Sequence, residues 1–272
     1  MSTVYCEAPF NYVTNTEAAD GDRVSAVEKS VHNGRKSALP GWQECGFELV
    51  EHESLVSDWQ DDEQIVEQHY EEIRQLAKAF TGCDYALVAG HIKRGPEQLK
   101  IHADYGPIAF VHSDFAESYG DLMRRYYSAD TEEAKLNLAN SGATLEDVKQ
   151  CSRLMILQFW RNLGEPKMDT PLAFCDARTV SKNDLRPFPV QDYGGGGFDF
   201  ETLGIATNNS HTWYVFPEMK RDEVAVFRTF DTDRIGSDQP YWTPHSAFSD
   251  PAVSAGHPSR FSIELRATCL FK

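Results

Sequence analysis

The chain has 272 residues, 41% hydrophobic and 12% aromatic, enough to bury roughly three quarters of its unfolded surface in a core that needs neither disulfides nor structural metal. Its 26 basic residues against 42 acidic ones leave a net charge of −16, which repels a phosphate backbone and an anionic bilayer and argues against nucleic acid or membrane as partners. The six cysteines, Cys6, Cys45, Cys83, Cys151, Cys175 and Cys269, form no close pair, so a zinc ribbon and a CxxC motif are excluded and a reduced, cytoplasmic setting is expected.

In chain order, residues 1–57 read as an N-terminal extension packed on the main domain, with a polar loop between Asn15 and Ser37. Ile65, Val66, Tyr70, Ile73, Leu76, Ala77 and Phe80 recur at steps of three and four, which predicts a helix from Asp58 to about Thr81, capped by Ser57 or Asp58 and ended by Gly82. A strand over Asp84–Ile92, a Gly95-Pro96 turn and a second strand over Ile108–Phe115 follow. Residues Ser118–Asn140 read as helix, and Thr144-Leu-Glu-Asp147 as a capping-box helix start. From Arg153 onward the pattern turns to β, with strands expected at Leu154–Phe159, Pro171–Cys175, Phe198–Ala206, Trp213–Phe216, Val224–Phe230 and Phe261–Phe271. Glu218–Asp222 reads as the tight connection of a Trp213–Phe230 hairpin, and Gly194–Gly197 as a flexible loop at the edge of a site. Serial short strands braced by early helices indicate a mainly β fold, a double-sheet jelly roll, over residues 1–272 as one domain.

The Ile108–Phe115 strand ends on His112 and Asp114. Two residues apart in a strand, their side chains share a face and can take two positions on a metal. A second such pair, His102 and Asp104, stands upstream, and the His112 pair is preferred to it because it ends an uninterrupted apolar strand and precedes a helix. One distant histidine, His245, would complete a facial triad, the ligand set that leaves open positions on Fe(II). Arg260 offers a planar fork for a carboxylate, and Ser262, two strand positions on, a hydroxyl donor. The order suits an Fe(II) and 2-oxoglutarate site on a jelly roll. Arg266 is expected to face away from Ser262, in a structural ion pair with Asp or Glu. Other readings of the same residues are a zinc hydrolase on the same triad and a jelly-roll binding protein without catalysis.

The blocks Arg153–Arg161, Pro171–Val180, Trp213–Pro217, Asp222–Phe227, His245–Pro251 and Ser262–Arg266 resemble those of the AsaB/CmcJ/NvfI-like family, the group that contains cephalosporin 7α-hydroxylase, gibberellin-desaturase-like proteins and fungal natural-product oxygenases. The resemblance spans roughly residues 84–272. It implies an Fe(II)- and 2-oxoglutarate-dependent oxygenase of secondary metabolism acting with dioxygen on a small molecule, with His112, Asp114 and His245 at the iron-ligand positions and Arg260 at the cosubstrate position. Hydroxylation, desaturation, ring closure and peroxide formation all remain open outcomes, and a homodimer is an assembly the reading allows. Asn162 departs from the family's usual proline, and Ser259-Arg260-Phe261-Ser262 from its Arg-Glu-Ser. His211, Trp213 and Tyr214 fall within or beside the family-like blocks and are the expected pocket wall, since such mouths use aromatic sides with few polar groups.

Overall fold

The computed structural model describes residues 3–14, 16, 17 and 23–272. Its strands in chain order are β1 (Val4–Val13), β2 (Val24–Asn33), β3 (Phe47–Glu51), β4 (Tyr85–Arg94), β5 (His112–Ser113), β6 (Arg153–Asn162) and β7 (Leu172–Cys175). They continue as β8 (Leu185–Val190), β9 (Phe200–Ile205), β10 (Trp213–Val215), β11 (Glu223–Asp231), β12 (His245–Ala247) and β13 (Ser262–Phe271). Eight of them form one sheet in the order β1-β2-β10-β7-β12-β5-β9-β8, and five form the other in the order β3-β11-β6-β13-β4. These two sheets, strung together by crossovers, make the jelly roll.

The small sheet shows how alternation places the interior. Ile263, Leu265, Ala267 and Cys269 of β13 pack with Ile73 and Ala77 in one apolar cluster outside the sheet. Successive side chains of a strand point to opposite faces, so Ser262, Glu264, Arg266 and Thr268 turn toward the large sheet. The helix covering the outer face runs through Asp62–Gln64, Ile65–His69 and Tyr70–Thr81, the middle piece wound as a π turn. Its cap is Asp61, which accepts from the backbone N–H of Glu63 and Gln64, rather than the expected Ser57 or Asp58. It ends where expected, at Gly82 with φ of 69°, a left-handed position that glycine adopts without a Cβ penalty.

Several expectations are corrected. Within the segment read as an N-terminal extension, Val4–Val13 and Val24–Asn33 are strands: β1 pairs antiparallel with β2, and β2 pairs in parallel with β10 to lengthen the large sheet. β3 pairs with β11 in the small one. Part of the polar loop predicted from Asn15, namely residues 15 and 18–22, lies outside the described residues. Trp213–Phe230 is no hairpin, because β10 belongs to the large sheet and β11 to the small one. The Ser118–Asn140 helix is two, Tyr119–Ser128 and Glu132–Asn140, parted at Asp130 with φ of 55°. β8 was missed because Pro187 and Pro189 read against a strand; it is an edge strand, where a missing N–H can be tolerated. The Thr144–Asp147 capping box forms as expected.

Candidate metal centre

The Ile108–Phe115 run is extended, yet only His112 and Ser113 are ladder residues. The remainder is held by scattered backbone partners: Val111 N–H donates to Asn11 at 2.9 Å, Ile205 N–H to Val111 at 3.1 Å, and Ala247 N–H to Ile108 at 2.9 Å. β5 is thereby wedged between β12 and β9, and His112 stands directly opposite His245 on β12.

The result is a compact donor set. Ligand atoms of His112, Asp114 and His245 all lie within 4.8 Å of one another, the sole such trio of His, Cys, Asp or Glu among the described residues. Asp114 Oδ1 is 3.6 Å from His112 Nε2 and 3.4 Å from His245 Nε2. His112 Nδ1 is 2.8 Å from the Phe110 carbonyl, and His245 Nδ1 is 3.0 Å from the Thr243 carbonyl. Each Nδ1 can therefore carry the proton and donate it, which leaves the Nε2 lone pairs free toward the trio's centre. Burial and the adjacent His245 push His112 down to about 3, so it stays neutral. Burial alone would raise Asp114, but Arg266 and the two imidazoles outweigh it and hold the carboxyl well below the usual carboxylate range. Two imidazoles and one carboxylate fit a divalent cation with positions to spare.

The other pair, His102 and Asp104, is half-exposed and does different work. Asp104 Oδ2 accepts the Gly194 N–H at 2.8 Å, tying that loop to the Gly-rich run. The two loops are fastened by Arg94, which donates to the carbonyls of Asp104 and Gly106, to Tyr193 Oη at 2.9 Å and to Glu264 at 2.8 Å.

Arg260 is buried beside the triad and borders the same recess as His112, Asp114, Trp160 and His245. Its guanidinium lies 5.6 Å over the Trp160 ring and donates to the Thr170 carbonyl at 2.8 Å. Burial and the neighbouring Arg94 push it down to about 10. Its Nε and the Ser262 Oγ are both buried without a hydrogen-bond partner, the condition of donors whose acceptor is a ligand. The recess is narrow, with about 20 Å³ free, so a diacid enters only as lining side chains yield. Asn162, at the position of the family's proline, ties its amide to the carbonyls of Glu165 at 2.9 Å and Met219 at 2.8 Å; the departure has a structural use.

Next to the triad opens a chamber of about 880 Å³, walled by Phe115, Tyr119, Tyr127, Tyr193, Phe198 and Phe200, with Arg266 and Thr268 also on its lining. Tyr119, Met123, Tyr126 and Tyr127 stand at steps of four, three and one on the helix Tyr119–Ser128, a spacing that could have marked this wall. His211, Trp213 and Tyr214 border neither this chamber nor the recess. His211 bonds Tyr12 at 3.1 Å and Asp184 at 3.2 Å, and Trp213 stacks on Phe10 with centroids 4.2 Å apart. Tyr214 leans on Phe47 and His32. The unforeseen strands β1 and β2 supply Phe10, Tyr12 and His32, which pack on Trp213, His211 and Tyr214. Arg266 is also corrected: its step from Ser262 is even, so both face inward, and its acids are Asp114 and Glu264.

Comparison with known proteins accords with this geometry. A family described as "Oxidoreductase/YMDC permease-like domain" matches residues 3–270; among the described residues no helix is long and apolar enough to cross a membrane. The hydroxylase/desaturase efuI of Hormonema carpetanum is 32% identical over 237 residues, covering 81% of this chain and 75% of the relative. The Fe(II)/2-oxoglutarate-dependent dioxygenase nvfI of Aspergillus novofumigatus is 26% identical over 191 residues, 69% of this chain and 66% of the relative. In structure, the iron and alpha-ketoglutarate-dependent endoperoxidase NvfI superposes with a TM-score of 0.77 at 20% identity over 99% of each chain, a likeness of fold.

Proposed function

Since the chain belongs to the AsaB/CmcJ/NvfI-like family of Fe(II)/2-oxoglutarate-dependent oxygenases, we propose that His112, Asp114 and His245 hold its iron and that Arg260 and Ser262 receive the far carboxylate of 2-oxoglutarate. The protein is an oxidoreductase that uses Fe(II), 2-oxoglutarate and dioxygen to oxidise a small molecule. The reading is carried by one observation, the convergence of three donor atoms with both Nδ1 atoms committed to backbone carbonyls. When bound, the iron and its cosubstrate supply the oxidising power that removes hydrogen from an unactivated carbon.

The residues of this chain bind, orient and shield. The Arg260 fork and Ser262 hydroxyl, unpartnered at Nε and Oγ, suit a carboxylate that the triad itself does not hold. The aromatic chamber takes the substrate: its size suits a multi-ring molecule, and its aromatic side chains offer that molecule apolar contact. Arg266 Nη1, which donates to no described residue, offers the substrate one polar handle. Placement of the substrate in the chamber sets whether hydroxylation, desaturation, ring formation or endoperoxidation follows. Membership in this family displaces the hydrolase and non-catalytic readings.

Residues 1–272 act as one unit in this proposal, since both sheets contribute to the site, and cytosolic residence is supported by six free thiols, five of them buried. The test is an anaerobic titration of metal-free protein with Fe(II), then 2-oxoglutarate. A weak visible charge-transfer band is expected; iron uptake without a band would remove the cosubstrate from the reading, and no iron uptake would remove the triad.

A further inference from the structure

A carboxylate has two oxygens, and its last torsion is soft enough to turn either or both toward a cation. At Asp114 they have different surroundings. Oδ1 faces His112 Nε2 and His245 Nε2, whereas Oδ2 accepts from Arg266 Nε at 3.3 Å and Nη2 at 3.2 Å. Arg266 is itself fastened: Nη2 also donates to Glu264 at 3.3 Å, its guanidinium lies 5.7 Å over the Phe115 ring, and Glu264 takes two further bonds from buried Arg94 at 2.8 and 3.2 Å. The guanidinium reaches from the small sheet across the interior to a residue just beyond β5 of the large one, and it approaches Asp114 from the chamber side.

We infer that Arg266 is a positioning residue that keeps Asp114 a one-oxygen ligand. The inference rests on the function proposed above. A three-atom protein set leaves three positions on a six-coordinate ion, and a chelating 2-oxo acid with dioxygen needs all of them. If Oδ2 swung onto the metal, one of those positions would close. Arg266 prevents the swing by occupying Oδ2 with two charge-assisted donors. Its charge also has a definite sign toward the site: a guanidinium beside a dication repels it, so Arg266 lowers metal affinity while it preserves room for the cosubstrate. A residue that merely supported the fold would do the opposite, and its loss would weaken metal binding.

The experiment uses Co(II) as the metal and 2-oxoglutarate as the second ligand, titrated in sequence under anaerobic conditions by calorimetry and visible absorption into the full chain. Wild type is compared with Arg266→Gln and Arg266→Lys, alongside thermal unfolding of each metal-free protein. Arg266→Gln is expected to bind Co(II) at least as tightly as wild type, with an altered visible spectrum, and to bind 2-oxoglutarate on the Co(II) form about 10-fold or more weakly, the scale of losing an outer-shell partner. Arg266→Lys, which keeps the charge and the link to Glu264, is expected to recover part of that loss. Weaker Co(II) binding by a folded Arg266→Gln protein, or unchanged 2-oxoglutarate affinity, overturns the inference. If Arg266→Gln does not fold, Arg266→Lys decides it: a loss of Co(II) affinity there overturns it equally. Wild type that takes up no Co(II) would sink the metal-site reading, and this inference with it.

Discussion

His112 and His245 are directly opposed partners on adjacent antiparallel strands, their rings 4.4 Å apart between centroids. Two histidines far apart in the chain are thus set by backbone register, and Asp114 joins them because β5 ends one residue before it. A site built on register is rigid, and it loses its ion when any one member goes.

His112→Ala, Asp114→Ala and His245→Ala are each expected to weaken Fe(II) binding by about 100-fold or more, since each removes one of three protein donors. Asp104→Ala should leave it unchanged, because Asp104 ties a loop to Gly194. Anaerobic iron titration checks all four; equal loss in Asp104→Ala would move the site.

Arg260→Ala should raise the 2-oxoglutarate dissociation constant about 10- to 100-fold, the range of a hydrogen bond to a charged group. Arg260→Lys should restore little, as an ammonium cannot reproduce the planar fork stacked on Trp160. Iron affinity is the control and should hold in both variants.

Acid should destabilise the fold through His69, which burial pushes down to about 4 even though its Nδ1 lies 2.7 Å from Glu72. An unfolded histidine near 6.5 binds a proton that the native one refuses, so stability falls as pH drops from about 6.5 toward 4, by about 1 kcal/mol between pH 7 and 5.5. Below that window Glu72 takes over: burial opposes its ionisation, yet His69, Ser54 and the Leu55 N–H draw it down to about 2. It contributes stability above its unfolded value near 4.5 and loses it as pH falls toward 2. Urea unfolding of His69→Gln at several pH values should show a shallower slope in the upper window; an unchanged slope would place the proton elsewhere.

Gly204 is the register partner of His112 on β9. A Cβ there would meet Val13 Cγ2 at 2.6 Å and Phe188 Cε1 at 2.8 Å. Gly204→Ala should therefore cost about 1–3 kcal/mol as an overpacked site, visible as a lower urea midpoint with the slope unchanged. A midpoint equal to wild type would mean that β1 moves aside freely.

The sequence alone determined the properties that depend on near neighbours. Three- and four-residue spacing marked the helix ending at Gly82, Thr144 and Asp147 marked a capping box, and short apolar runs marked β4, β6, β11 and β13. It also supplied the candidate ligands, since a His-x-Asp pair, a later histidine and an Arg-x-Ser are short patterns with a chemical meaning. Only the tertiary structure decided which pair of histidine and aspartate meets His245, because strand order and register bring them together and no local pattern encodes either. It placed Val4–Val13 and Val24–Asn33 in the large sheet, where Phe10 and Tyr12 bury His211 and Trp213 and leave the chamber to the helix of Tyr119 and to Phe115 and Phe200. And it gave Arg266 its partner Asp114: the even step from Ser262 is enough to turn Arg266 inward, but which acid it meets across the gap between sheets is a distance that spacing along one strand cannot measure.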